Sequence, residues 1–107
     1  MPPLLVYMTT PSLEEARTLC TYLVEQRLAA CANIFPGGES VYRWQGAVEH
    51  AQEYFCVLKT EEDRFAELRA AVRRLHSYDT PCVVALPLVD GDADFLAWLR
   101  AETRPIL

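Results

Sequence analysis

The sequence predicts an α+β fold in one domain, residues 1–107, with two helices on one face of a four-stranded antiparallel sheet. The hydrophobic patterns follow the order strand, helix, strand, strand, helix, strand, and a further helix closes the chain. This order is the split βαβ arrangement of the ferredoxin-like sandwich. The chain is 51% hydrophobic, enough to form one core. The second and third predicted strands are unusually long.

The first strand and helix have clear boundaries. Residues 4–10 form a continuous apolar run that ends in threonines, which predicts a strand buried on both faces. Ser12 with Glu15 three residues later forms a capping box at the start of a helix. Apolar residues follow at helical spacing and predict its buried face: Leu13, Ala16, Cys20, Leu23, Val24 and Leu28. Cys20 is therefore interpreted as a buried hydrophobic residue.

Residues 30–60 predict a long β-ribbon. The first of its strands is interrupted at Pro36-Gly37-Gly38 and resumes at residues 41–44, so we expect one kinked strand with a bulge. A Gln45-Gly46 turn leads to the second strand, residues 48–60, where Cys56 lies in an apolar run and is assigned to the core. A monomer of this size cannot cover such a ribbon, which favours contact with another copy.

The remaining elements follow from caps and breaks. Thr60, followed by three acidic residues, is predicted to cap the second helix, and Asp92 is predicted to cap the last one. The apolar stripe of the second helix comprises Phe65, Leu68, Val72 and Leu75. Residues 76–81 end that helix, and residues 82–89 predict a fourth strand in which Pro87 indicates a sheet edge or a bulge.

Charge and cysteine usage exclude several functional classes. The formal net charge is −5, which argues against binding to nucleic acid or to an anionic membrane but is compatible with cations. No signal sequence or membrane span is expected. The four cysteines form no C-x-x-C pair, so we expect reduced thiols and a cytoplasmic protein.

The histidine at the end of the second helix is the clearest candidate for metal chemistry. His76 precedes Tyr78 and Cys82 in the chain. One interpretation is a residue that favours the negative end of the helix dipole. The other is a soft-metal ligand, with copper as the metal and sulfur supplied by Met8, Cys31 or Cys82. No nucleophile–base pair is visible, so we expect no enzyme activity.

The single lysine also has two interpretations. Lys59 either pairs with a nearby glutamate or contacts a small anion in a cleft. Three aromatic residues are candidates to line that cleft: Tyr42, Trp44 and Tyr78. Aromatic residues on the ribbon are equally consistent with packing at a subunit contact.

Taken in order, these residues strongly resemble the CutA family of divalent-cation tolerance proteins. The resemblance covers nearly the whole chain. It rests on residues 23–34 with Pro36-Gly37, on Ser40-x-Tyr42-x-Trp44-x-Gly46, on Lys59-Thr60 with Asp63-Arg64-Phe65, on His76-x-Tyr78-x-x-Pro81, on Ala85-Leu86-Pro87 and on Phe95-Leu96-x-Trp98-Leu99.

The resemblance implies a tight homotrimer similar to the PII nitrogen-signalling proteins. In such a trimer the ribbons pair between subunits, which closes exposed edges. We therefore expect Cys31, Tyr42 and Trp44 at the subunit interface. The resemblance also implies a link to tolerance of copper and other divalent cations.

The chain departs from the family pattern at positions that matter for metal binding. Ser77, Asp79 and Cys82 replace a proline, an acid or amide, and an acid of the family motif. At the positions of a copper site described in some bacterial members, this chain has Met8, Leu75 and His76.

The functional prediction is a trimeric, non-enzymatic protein of metal tolerance. It would bind copper or another cation weakly through His76 with Met8 or Cys82. One alternative is a signalling module with a ligand cleft between subunits, lined by Tyr42, Trp44, Lys59, His76 and Tyr78. The other is a structural trimer that serves a protein partner.

Overall fold

The computed structural model describes residues 2–106, so residues 1 and 107 of the predicted domain lie outside it. It contains four strands and three helices in the predicted order, and the strands form one antiparallel sheet in the order β2-β3-β1-β4. The bounds are β1 Pro3–Thr10, α1 Leu13–Glu25, β2 Cys31–Trp44, β3 Ala47–Glu61, α2 Glu62–Leu75, β4 Val83–Pro87 and α3 Ala93–Glu102. The predicted α+β class and the ferredoxin-like topology are confirmed.

The core lies between one face of the sheet and the helices α1 and α2. Val6 and Met8 of β1 and Cys56 of β3 are fully buried there, and Cys20 of α1 belongs to the same cluster. Burial along β1 alternates as far as Tyr7, which is only half-buried on the opposite face, whereas Met8, Thr9 and Thr10 are all buried. The prediction of a strand buried on both faces is therefore confirmed only for its last residues. The first part of the strand is more open on the opposite face because α1 and α2 pack on the same side. We call the opposite side the second face.

Two of the three predicted helix caps are confirmed. The Ser12 Oγ accepts a hydrogen bond of 3.1 Å from the backbone N–H of Glu15, and the Asp92 carboxylate accepts one from the first turn of α3. The prediction for Thr60 was wrong, because Glu61 occupies the N-cap of α2. The Thr60 hydroxyl instead donates to the Leu28 carbonyl and ties β3 to the end of α1.

Two residues assigned to apolar helix faces lie at the surface. Val24 of α1 is 36% exposed and Leu75 of α2 is 44% exposed. Both stand in the last turn of a helix, where the chain leaves the sheet and the buried stripe ends. Leu19, which the spacing argument omitted, is buried in the core.

The β2–β3 ribbon is long and kinked as predicted. Its register shifts between Phe35 and Gly38, and Gly37 has a positive φ of 77° within this bulge. At the ribbon tip, Gln45 and Gly46 both have positive φ, as a two-residue type I′ turn requires. Residues 41–50 are exposed throughout.

The fourth strand is shorter than predicted. β4 spans five residues and pairs only with β1 within the described sheet, so the edge position indicated by Pro87 is confirmed. Pro87 pairs with Leu4, and the backbone N–H of Leu88 still donates to the Pro3 carbonyl at 2.9 Å beyond the end of the strand. None of the helices found among residues 2–106 combines the length and apolarity needed to cross a membrane.

Candidate ligand cleft

A cleft of about 680 Å³ opens where the ribbon, β1 and the segment after α2 meet on the second face of the sheet. β1 supplies two side chains, the ribbon supplies five, and the remaining five come from residues 77–82. The lining residues are Tyr7, Thr9, Ser40, Val41, Tyr42, Trp44, Glu53, Ser77, Tyr78, Asp79, Thr80 and Cys82. The volume is that of a site for a small organic molecule.

The structure places three of the five predicted cleft residues in this lining: Tyr42, Trp44 and Tyr78. Lys59 lies outside it, and its Nζ donates to Asn33 Oδ1 at 3.0 Å. Lys59 and Glu53 are six residues apart on β3, and six residues of strand span about 20 Å. His76 also lies outside the lining; it is buried, two residues before Tyr78.

A buried glutamate at the base of the cleft was missed by the sequence analysis. Glu53 is only 6% exposed, and the Tyr78 hydroxyl donates to its Oε2 at 2.9 Å. Glu53 forms no ion pair within residues 2–106. One sequence signal was available, because Glu53 is in phase with Phe55 on β3 and so shares its face of the sheet. The contact with Tyr78 depends on the tertiary fold and leaves no local pattern.

The cleft is acidic. Its charged lining residues are Glu53 and Asp79, and it contains no lysine, arginine or histidine among the described lining residues. Burial raises the pKa of the Tyr78 hydroxyl, and the hydrogen bond and charge of Glu53 raise it further. Burial and then Glu53 also raise the pKa of the Cys82 thiol. Such a field disfavours the small anion that the sequence suggested.

His76 uses both ring nitrogens within the chain. Its Nε2 lies 2.8 Å from the Thr9 carbonyl oxygen, which can only accept, so Nε2 carries the proton and donates. The Nδ1 accepts from the backbone N–H of Tyr78 at 3.0 Å. The Glu15 carboxylate lies 3.3 Å from Nδ1 and accepts two hydrogen bonds from Ser77. His76 thus positions the segment that carries Tyr78.

The predicted metal ligands do not form a set of free donor atoms. Met8 is fully buried in the core beneath the helices, whereas Cys82 lines the cleft on the second face. Both nitrogens of His76 are occupied. Within residues 2–106, no group of three or more His, Cys, Asp or Glu side chains is arranged to hold a metal ion.

Two further sequence-predicted residues lie away from the cleft. Cys31, expected at a subunit interface, is half-buried at the start of β2 and pairs with Lys59. Leu75 is exposed at the end of α2.

The fold and the cleft together define a class of small α+β proteins: a ferredoxin-like domain with an extended ribbon and a ligand-sized cleft at its base. The family model described as CutA1 divalent ion tolerance protein matches residues 4–102. The chain therefore belongs to the CutA family, and the resemblance found in its motifs is confirmed.

Relatives with solved structures agree along most of the chain. The divalent-cation tolerance protein CutA of Thermus thermophilus is 49% identical over 98 residues, covering 92% of this chain and 95% of the relative. A structure of the Thermus thermophilus protein superposes with a TM-score of 0.93, at 47% identity, and covers 95% of this chain and 99% of that one. CutA1 from Oryza sativa superposes with a TM-score of 0.94, at 40% identity, and covers 97% of this chain and 95% of that one.

Proposed function

We propose that this protein acts in divalent-cation tolerance as a non-enzymatic homotrimer that binds a small ligand in clefts at its subunit boundaries. The observation that carries the proposal is Glu53, a buried carboxylate without an ion pair in the described chain, at the base of a ligand-sized cleft. Burying a carboxylate without an opposite charge is costly, which makes such a group in a cleft a candidate for a functional site.

The exposed ribbon supports the assembly. Val41 and Val48 near its tip are 59% and 56% exposed, and Phe35 at the bulge is 52% exposed. β2 is an edge strand of 14 residues, a length that leaves many backbone groups available for pairing with another chain. Neighbouring copies would cover both features. They would also border the cleft, because Tyr42 and Trp44 belong to the same ribbon.

The cleft is a better candidate site than His76. A soft metal at His76 would have to displace a hydrogen bond from one ring nitrogen and reach a side chain with no exposed surface. Cys82 does lie in the cleft, but its raised pKa keeps the thiol protonated, which weakens it as a metal ligand. Copper tolerance would then be an indirect consequence of ligand binding.

The same groups support a non-enzymatic role. A nucleophilic cysteine requires a lowered pKa, whereas the pKa of Cys82 is raised. The pKa of Tyr78 is raised as well, so its hydroxyl is a poor general acid near neutrality. For location we propose the cytoplasm, since all four cysteines are free thiols, and cell fractionation would check this.

The test combines a measurement of mass, a measurement of ligand binding and two substitutions that each add a phenyl ring. Ser40→Phe fills the cleft, and Thr21→Phe adds the same ring to an exposed position of α1. For the wild-type protein and both variants, we expect analytical ultracentrifugation to give the mass of a trimer of 12.1 kDa chains. A thermal-shift panel of small amines, phosphates and carboxylates should give binding that Ser40→Phe abolishes and Thr21→Phe preserves.

Copper is tested in the same series. Cu(I) is titrated into reduced protein against a competing chelator, with His76→Ala as the variant. Stoichiometric copper binding that survives Ser40→Phe and disappears in His76→Ala would overturn the cleft proposal and restore chelation at His76. A monomeric mass for the wild-type chain would overturn the assembly.

A further inference from the structure

We infer that the ligand of the cleft is an organic cation, a small molecule with an ammonium or guanidinium group that binds between Glu53 and the surrounding aromatic rings. The inference rests on the proposed function, because it names the ligand class of the same cleft. It depends on three features of the lining: its charge, its aromatic content and its size.

The charge of the lining selects a cation. Glu53 is only 6% exposed and has no cationic partner within the described chain. Asp79 adds a second negative charge at the exposed side. The Tyr78 hydroxyl donates to Oε2 and fixes the orientation of the carboxylate, so Oε1 remains available to a ligand. An ammonium or guanidinium group supplies both the charge and the N–H donors that this carboxylate lacks.

The aromatic lining selects an organic cation. Tyr7, Tyr42, Trp44 and Tyr78 make up four of the twelve lining residues. Aromatic faces attract ammonium and guanidinium groups through their quadrupoles, and cages of several rings are a recurring solution for amine recognition. The four rings come from three parts of the chain, β1, β2 and the segment after α2, so aromatic side chains from separate elements meet at the cleft.

Size and donor chemistry disfavour the alternatives. A cleft of about 680 Å³ is far larger than a bare metal ion needs. A divalent metal would also require several charged or imidazole donors, and the described residues contain no group of three or more His, Cys, Asp or Glu side chains that could hold a metal ion. A phosphate or carboxylate ligand would bring a second negative charge next to Glu53 with no basic residue in the lining.

The experiment follows the fluorescence of Trp44, which lines the cleft. Trp98→Phe removes the second tryptophan, which lies on α3, and serves as the reference protein. Agmatine and choline are the cationic probes, inorganic phosphate and citrate are the anionic probes, and Mg²⁺ and Cu(I) are the metal probes. We expect saturable quenching by at least one cationic probe at up to millimolar concentration, and none by the anions.

The matched variants remove one negative charge each. Glu53→Gln keeps the shape of the side chain and should weaken binding of the cationic probe by about tenfold or more, the loss expected for one charge-assisted hydrogen bond. Glu25→Gln removes a charge at the exposed end of α1 and should leave the affinity unchanged.

The outcomes separate this inference from the proposed function. Saturable binding of phosphate or citrate that Ser40→Phe abolishes would overturn the inference and leave the ligand-binding trimer in place. Metal binding lost in Glu53→Gln, without amine binding, would also overturn it. Amine binding that is equally strong in Glu53→Gln would refute the role of the carboxylate. Absence of binding by every cationic probe would refute the ligand class.

Discussion

Gly38→Ala should destabilise the protein through a clash with one aromatic ring. A Cβ at position 38 would lie 2.0 Å from Cε2 and 2.1 Å from Cζ of Phe55. Carbon atoms in contact prefer about 3.5–4.0 Å, so the ring or the strand must move by roughly 1.5 Å. Phe55 also packs against Tyr7, with ring centroids 6.1 Å apart, so a rotation of the ring disturbs the sheet and the cleft.

Gly38 and Phe55 are both half-buried, and the expected cost of the added methyl group is that of overpacking, about 1–3 kcal/mol. For a domain of this size that cost corresponds to a melting temperature lowered by about 4–8 °C per kcal/mol. Differential scanning calorimetry at a fixed protein concentration measures it, since the proposed assembly would make the melting temperature depend on concentration.

A double-mutant cycle isolates the ring as the cause. In a Phe55→Ala background the additional cost of Gly38→Ala should nearly vanish, because the atoms that clash are gone. Gly37→Ala is the matched control: its Cβ would meet nothing within 4 Å, but its φ of 77° strains an L-residue. That strain should be unchanged by Phe55→Ala. An equal cost for Gly38→Ala in both backgrounds would refute the steric argument.

Three further predictions concern stability. Arg104 donates two hydrogen bonds to the Asp63 carboxylate and thereby lowers the pKa of that carboxyl. This ion pair therefore stabilises the folded state fully above the pKa of Asp in the unfolded chain, about 4, and its stabilisation is lost as the pH falls through the lower pKa of the folded state. In melting curves recorded at decreasing pH, Asp63→Asn should lack this part of the fall in melting temperature. A variant whose melting temperature falls as much as that of the wild type would contradict the prediction. Leu58→Ala should cost about 2–5 kcal/mol in denaturant unfolding because Leu58 is fully buried, whereas Leu75→Ala at an exposed site should cost less than about 1 kcal/mol. Arg27 has a positive φ of 60°, and its side chain donates to two carbonyls at the end of α3. Arg27→Ala should therefore melt at a lower temperature than Arg27→Gly, which loses the same bonds without the strain, and the opposite order would refute this assignment.

The sequence predicted the fold well because its signals are local. Capping at Ser12 and Asp92, the Pro-Gly-Gly interruption and the Gln45-Gly46 turn each depend on a few neighbouring residues. The misassigned cap at Thr60 shows where such signals fail. Its hydroxyl bonds the Leu28 carbonyl, 32 residues away in the chain, and no local pattern reveals that competition.

The candidate site was only partly predictable for the same reason. Three of its four aromatic residues, Tyr42, Trp44 and Tyr78, were found because they are conspicuous in the sequence, whereas Tyr7 was not. Glu53 was not found, since a glutamate in a polar stretch normally lies at the surface and its burial depends on contact with Tyr78. Lys59 was assigned to the cleft on chemical grounds alone, and the length of β3 separates it from Glu53.

The bulge in β2 also changes which residues of the strand share the face of the cleft. Up to Phe35, the odd-numbered residues of β2 share the face of Phe55; beyond the bulge, Gly38 pairs with Glu53, so the even-numbered residues take that face. Two residues of β2, 36 and 37, thus lie opposite one residue of β3, and this places Tyr42 and Trp44 on the face of the carboxylate. Deleting one of residues 36–37 would leave a single residue opposite Tyr54 and remove the bulge, while Gly38 would still pair with Glu53 and Trp44 would keep its face. The bulge therefore lets β2 differ in length by one residue at this position without any change in the side chains that line the cleft.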